Sequence, residues 1–377
     1  MSLNVLFIGP LTTDGWGKAC REYIRALSAA GANVAFRPVY PGHPNKNPDE
    51  EMLSYIDRHY SKYDAVIQNL LPYFFEYNAK FGKNIGLSAF ETIYWNNSFV
   101  EKMKLMDQMW HPCFWQHCTH AIPEPVNPDN YKKQYPCLAD QITSNKVVFY
   151  WMGEYIPRKN LLFALRAFHS EFNRDEPVEF VIKTNKVGKT AAKTKEVVEY
   201  DILHMKKEMA LYDRVNDYKK EILITEYIPE DQIYGIHQSC DVFIMPSHGE
   251  AWSIPMFDAY GFGNNVISTN TGCFNNISHS IANTKTGFTY TESKTVYEIH
   301  SEYDNVDLPL EKRPYKDMFT PKEMWRVPNL SSLRYHMRSV YEKIIFAKNN
   351  NTYKKELPDL TEYSHLNIGK RMLECLS

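Results

Sequence analysis

The chain has 377 residues, more than one ordinary core organises, so two domains are expected. Hydrophobic residues make up 44% and charged residues 23%, the balance of a globular chain rather than a disordered or membrane-spanning one. A formal net charge of -2 leaves no global basic field for nucleic acid or an anionic membrane.

The N-terminus enters a strand almost directly at Val5–Ile8, with no basic segment or cleavage site of a signal peptide. Gly9-Pro10 ends that strand. A loop through Asp14, Gly15, Trp16 and Gly17 leads to a helix over Lys18–Ala30, where Ala19, Tyr23, Ile24 and Leu27 recur at helical spacing. Gly31 is a natural stop. Strands follow at Asn33–Arg37, Asp64–Ile67, Asn84–Leu87 and Met109–His111. Strands alternating with helices argue a parallel sheet with right-handed crossovers. Pro123, Pro125, Pro128 and Pro136 mark a linker at about 122–145.

The rhythm then restarts. Lys146–Met152 reads as a buried strand ended by Gly153, and Asn160–Glu171 as a helix with Leu161, Leu162, Leu165 and Phe168 on one face. Val178–Ile182, Ile222–Thr225, Asp241–Met245 and Val266–Ser268 are further strands. The stretch from about 333 is helical, and Ser364–Leu376 reads as a short terminal helix. No apolar run approaches the length of a bilayer span. Domains are therefore expected at 1–143 and 144–350, with a tail at 351–377 packing back on the first.

The seven cysteines, Cys20, Cys113, Cys118, Cys137, Cys240, Cys273 and Cys375, are odd in number and widely spaced. Cys113 and Cys118 lie near His111, His117 and His120, but no second ligand pair follows at zinc spacing, so reduced thiols are the better reading. Reduced thiols suit a cytoplasmic compartment. Lys183, Lys186, Lys189, Lys193 and Lys195, with Lys206 and Lys207, form one basic stretch, read as a solvated face ahead of a polyanion site.

The stretch HGEAWSIPMFDAYGFGNNVIST carries the most chemistry. A buried strand runs into the turn Pro246–Gly249, then Glu250 and Asp258 flank a helix start, and a second strand follows Gly261 and Gly263. In a parallel sheet this places backbone N–H groups and a helix N-terminus at the carboxyl edge, where anions bind. The two carboxylates can take hydroxyl hydrogen bonds, which suits a phosphate attached to sugars. Alone, the same pair reads as a helix cap and a solvated helix acid.

At the residue level the chain resembles the GT-B-fold glycosyltransferases, specifically the large retaining group numbered family four (glycosyl transferases group 1). The resemblance rests on Pro246, Ser247, Gly249, Glu250, Pro255, Ala259, Gly263, Val266 and Ile267. It rests also on Gly153 with Lys159 and Ala167-Phe168, on the Gly15 and Gly17 loop, and on Tyr227–Pro229 before Asp241. It implies an α/β fold of two Rossmann-like domains facing a cleft, the acceptor on the first and the nucleotide-sugar donor on the second. It implies a metal-independent hexosyl- or pentosyltransferase with no cofactor beyond a nucleotide-diphosphate sugar as co-substrate, UDP expected. No DxD-type carboxylate pair stands at a strand end, Asp129 being alone in the linker.

By the same resemblance, Glu250 contacts donor-sugar hydroxyls and Lys159 neutralises the diphosphate. Asp258, where the family has Glu, holds the ribose hydroxyls. The backbone groups of Gly249, Ala251, Trp252, Ser253 and Ile254 face the phosphate and sugar. Gly15, Gly17 and Gly153 let backbone approach the donor, Lys183 adds positive charge, and Tyr227 and Ile228 lie near the base. Glu154 stands where the family has Arg, and Arg158 is the candidate substitute. Glu91 stands where many members have His; it binds sugar hydroxyls or is a paired structural acid, and both readings stay open. The acceptor is a hydroxyl of a glycan, a lipid-linked sugar or a small molecule. A modified base in DNA, flipped out or single-stranded, is one alternative, and a non-catalytic nucleotide-sugar-binding protein is another.

Overall fold

The computed structural model describes residues 2–40, 48–113, 118–136, 145–284, 287–313 and 318–377, with backbone alone for 279–292. His117, Cys137 and the expected boundary at 143 lie outside the described residues. The chain forms two units. Unit 1 comprises Met1–Asn130, Asn305–Met324 and Asp359–Ser377; unit 2 comprises Tyr131–Asp304 and Trp325–Pro358. The segment Asn305–Met324, which the sequence reading leaves inside the second domain, thus belongs to unit 1.

Unit 1 opens with β1 (Asn4–Pro10), α1 (Gly15–Ala29) and β2 (Asn33–Val39). It continues through α2 (Glu50–Ile56), β3 (Ala65–Asn69), β4 (Lys83–Leu87), α3 (Asn97–Met103), β5 (Gln108–His111) and the two-residue β6 (His120–Ala121). All six strands are parallel, in the order β2-β1-β3-β4-β5-β6. Helices cover both faces of such a sheet, so its strands are apolar runs rather than alternating ones; β3 is buried at every position. The strand order reverses between β1 and β3, the place where ligands bind outside the carboxyl ends of parallel sheets.

Unit 2 repeats the plan with β7 (Val147–Glu154), α4 (Leu161–Glu171), β8 (Val178–Asn185), α5 (Ala191–Met209), β9 (Ile222–Ile224) and α6 (Glu230–Ser239). β10 (Val242–Met245), α7 (Ile254–Gly261), β11 (Asn265–Ser268) and α8 (Phe274–Ser278) follow. A hairpin of β12 (His279–Thr284) and β13 (Gly287–Glu292) precedes β14 (Val296–Glu298). The parallel sheet runs β14-β11-β10-β7-β8-β9, and its order reverses between β7 and β10. β15 (Ser301–Asn305) and β16 (Met324–Pro328) form a small ribbon as the chain leaves unit 2 and returns to it. α9 (Leu330–Asn349) lays Leu333, Met337, Val340 and Ile344 into a core with Phe149, Trp151, Phe168 and Phe180.

The final helix, α10 (His365–Leu376), returns to unit 1 and packs Ile368, Met372 and Leu376 into a core with Tyr23, Ile24 and Leu27 of α1. The approach is close: a Cβ on Gly369 would stand 1.9 Å from the Ala26 carbonyl oxygen, so only glycine fits. Among the described residues no helix is long and apolar enough to cross a membrane.

Candidate active site

The site in unit 2 is built by the two loops that leave β7 and β10, the neighbouring strands at the switch point. After Gly153 the chain makes a 3-10 turn over Pro157–Lys159, which Asn160 ends in the left-handed region at φ 57. Trp151, fully buried on β7, donates its indole N–H to the Lys159 carbonyl at 3.2 Å and fixes the turn to the sheet. A Cβ on Gly153 would lie 2.9 Å from Lys159 Cδ, so the glycine is what lets the lysine stem fold across the strand end. The β10 loop is fastened alongside: His248 N–H donates to the Arg158 carbonyl at 2.8 Å, Ser247 Oγ lies 3.2 Å from the same oxygen, and Asn160 Nδ2 donates to the Pro246 carbonyl at 3.2 Å.

These fastenings bring Glu250 against two cations. Lys159 Nζ donates to both Glu250 oxygens at 3.0 Å. Arg158 Nη1 lies 3.2 Å from Oε1 and also donates to the Gly249 carbonyl. Ser247 Oγ donates to Oε1 at 2.8 Å. The Glu250 side chain is only 5% exposed. Burial favours the neutral acid, but the Lys159 and Arg158 charges and the hydrogen bonds outweigh it, holding the carboxyl below its ordinary range. Arg158 and Lys159, adjacent in sequence, converge on one carboxylate because the tight turn carries two long side chains to the same loop. Glu154, at the family's arginine position, accepts the Val187 N–H at 3.3 Å and braces the loop after β8.

Beyond Glu250 the chain passes Ala251 and Trp252, both buried, to Ser253, which precedes α7 in the left-handed region at φ 72. Ile254 opens the helix. Asp258 is 3% exposed, and one of its oxygens accepts the Tyr131 hydroxyl at 2.6 Å. An aspartate keeps its carboxylate one methylene closer to the helix than a glutamate, within reach of this tyrosine. Tyr131 in turn packs on Phe262 and Tyr234.

At the end of β8, Lys183 is buried, and burial lowers its ammonium from the ordinary lysine range against the opposing charge of Glu226. Tyr227, after β9, is 86% exposed, and Ile228 is half-buried beside it. The basic stretch does not form one face. Lys206 is buried between Glu221 and the Lys219 carbonyl, Lys193 pairs with Glu196, and Lys186 lies over the Tyr155 ring.

In unit 1 the loop after β1 carries Gly15 and Gly17 inside the first turn of α1 rather than before it. Asp14 caps the helix, accepting the Gly17 N–H at 2.9 Å and the Thr12 hydroxyl at 2.7 Å. A Cβ on Gly17 would fall 2.1 Å from the Thr12 carbonyl oxygen. Trp16 Nε1 donates to Asn69 Oδ1 at 2.9 Å, linking the loop to the end of β3. Glu91 is half-buried in the loop after β4; its neighbour Thr92 donates to Glu323 Oε2 at 3.2 Å. Sequence reasoning missed Trp151 and Asn160 as supports of the site, although the strand position of Trp151 was a legible signal.

Residues 139–300 match the family model described as Glycosyl transferases group 1. No curated protein sequence matches the chain. Among solved structures, sucrose-phosphate synthase from Thermosynechococcus elongatus superposes with a TM-score of 0.58 at 11% identity, over 99% of this chain and 98% of that one. HepE of Anabaena, in complex with UDP and glucose, gives 0.55 at 10% identity, over 99% of each chain. The E. coli trehalose-6-phosphate protein bound with UDP-2-fluoro glucose gives 0.58 at 7% identity, over 99% and 98%. At such identities the structures speak for the fold, and the family model speaks for unit 2. Residues 139–300 thus match the glycosyl transferases group 1 model, and the chain has the GT-B fold of these solved structures.

Proposed function

We propose that the protein transfers a sugar from a nucleotide-diphosphate sugar, UDP-linked, to a hydroxyl acceptor, with retention at the anomeric carbon. The observation that carries this reading is the convergence of Lys159, Arg158 and Ser247 on the buried Glu250 carboxylate at the switch point of the domain that matches the family. Glu250 accepts hydroxyls of the donor sugar. An ammonium has three donors, so Lys159 can hold Glu250 and a phosphate oxygen together. The barrier lies in separating a diphosphate anion from an oxocarbenium-like sugar. Lys159, Arg158 and the N-terminus of α7 stabilise the growing negative charge, the work a divalent cation does elsewhere. The departing phosphate takes the acceptor proton, so no enzymic base is required.

Tyr227 and Ile228 flank the base, and Asp258 serves the ribose once Tyr131 yields it. Gly15 and Gly17 open the backbone of unit 1 to an anion, and Glu91 binds a sugar hydroxyl. The acceptor side is unit 1, and the acceptor is a glycan, a lipid-linked sugar or a small molecule. The six described cysteines are all free, which supports a cytoplasmic, reducing setting. The test is incubation with UDP-, GDP- and ADP-sugars while nucleotide release is followed. Release from a UDP-sugar, faster with acceptor, is the expected result; no release from any donor removes the catalytic reading and leaves a binding protein.

A further inference from the structure

The loops that leave β10 and β11 lie against each other behind Glu250. Cys273 N–H donates to the Trp252 carbonyl at 2.7 Å. A Cβ on Gly272, which sits at φ +60, would stand 2.5 Å from that same carbonyl oxygen and 3.0 Å from Glu250 Cβ. Within this contact two buried hydroxyls have no hydrogen-bond partner, Ser253 Oγ and Thr271 Oγ1. Ser253 is 7% exposed and directly precedes α7.

A serine before a helix ordinarily has extended backbone, and its oxygen caps an early N–H. Ser253 does neither: its backbone is left-handed, and its hydroxyl makes no cap. A glycine here would avoid both the left-handed penalty and the unpaired hydroxyl. Avoidable penalties three residues from Glu250, with a second unpaired hydroxyl on the adjoining loop, point to partners that the empty protein lacks. The surroundings state their chemistry. Lys159, Arg158 and the N-terminus of α7 make the neighbourhood electropositive, so hydroxyl donors there suit phosphate oxygens.

We propose that the Ser253 and Thr271 hydroxyls donate hydrogen bonds to the phosphate oxygens of a bound nucleoside diphosphate, adding side-chain contacts to those of the backbone. This rests on the donor-site reading above. A Ser or Thr hydroxyl reaches a ligand oxygen by turning about its Cα–Cβ bond, a fast motion.

The test uses the full chain with Ser253→Ala, Thr271→Val and the double substitution. Binding of UDP, GDP and ADP is measured by calorimetry and thermal stability by melting. Each single change is expected to weaken the tightest-bound nucleotide by about three- to tenfold, the worth of one hydrogen bond. The Tm should hold or rise, because the empty protein loses an unpaired hydroxyl. Wild-type affinity in both single variants overturns the proposal and leaves the donor site standing. A fall in Tm alongside a fall in affinity also overturns it, since the hydroxyls are then structural. If the wild-type chain binds none of the three nucleotides, the donor-site reading fails and the proposal with it.

Discussion

Glu250 is an acid kept ionised in a buried place by two cations and a hydroxyl. Removing one partner of such a group costs about 3–5 kcal/mol, because the other charge stays behind. Glu250→Gln keeps the shape and discards the charge, leaving Lys159 and Arg158 without their counterion. Turnover should fall about 100-fold, the scale of a lost transition-state contact, and the Tm should fall as well. The pH dependence has a definite sign. The folded carboxyl lies below the ordinary range, so its stabilisation is complete above the unfolded value and is lost as pH falls through the folded value. The melting difference between wild type and Glu250→Gln should therefore be full at pH 7 and shrink in acid; a difference independent of pH would sink this account. Glu250 was legible from its place on a loop after an apolar strand, whereas Lys159 was legible only through the family resemblance. Asp258 was legible only as a position on a helix. Its hydrogen bond to Tyr131 joins residues 127 apart in sequence, and no local pattern reports such a meeting.

At the scale of elements, buried parallel strands announced themselves as apolar runs, and β7, β8 and β10 stand where the runs stood. The start of α1 did not. Gly15 and Gly17 read as loop, yet Asp14 caps the helix through the Gly17 N–H and draws both glycines into its first turn. Short α2 and α3 lacked the length for a periodic signal, and α5 was hidden by its lysines, several of which the fold buries or pairs. Gly17 carries the sharpest demand of this region. Gly17→Ala would force a Cβ onto the Thr12 carbonyl, so the loop from Thr12 to Asp14 must move and the cap must break. We expect a loss of about 2–4 kcal/mol in urea unfolding, the sum of a steric clash and a lost cap. A change below about 0.5 kcal/mol would show that the loop yields freely.

At the scale of the whole molecule, two α/β units were legible from a strand–helix rhythm that starts twice, but their membership was not. Asn305–Met324 crosses from one unit to the other with no mark in composition, since a contact made by a returning segment leaves no periodic trace. α10 completes the core of unit 1 by covering α1, with Gly369 against Ala26. That arrangement makes the core of unit 1 depend on a segment distant in sequence. Unit 1 takes in Asp359–Ser377, a segment more than 200 residues beyond its first stretch. Without that segment Tyr23, Ile24 and Leu27 lose the apolar cover of Ile368, Met372 and Leu376. A chain stopped at Pro358 should keep one cooperative melting transition yet bind a hydrophobic dye, and adding residues 359–377 as a peptide should quench that binding; a truncated chain indifferent to dye would refute this dependence.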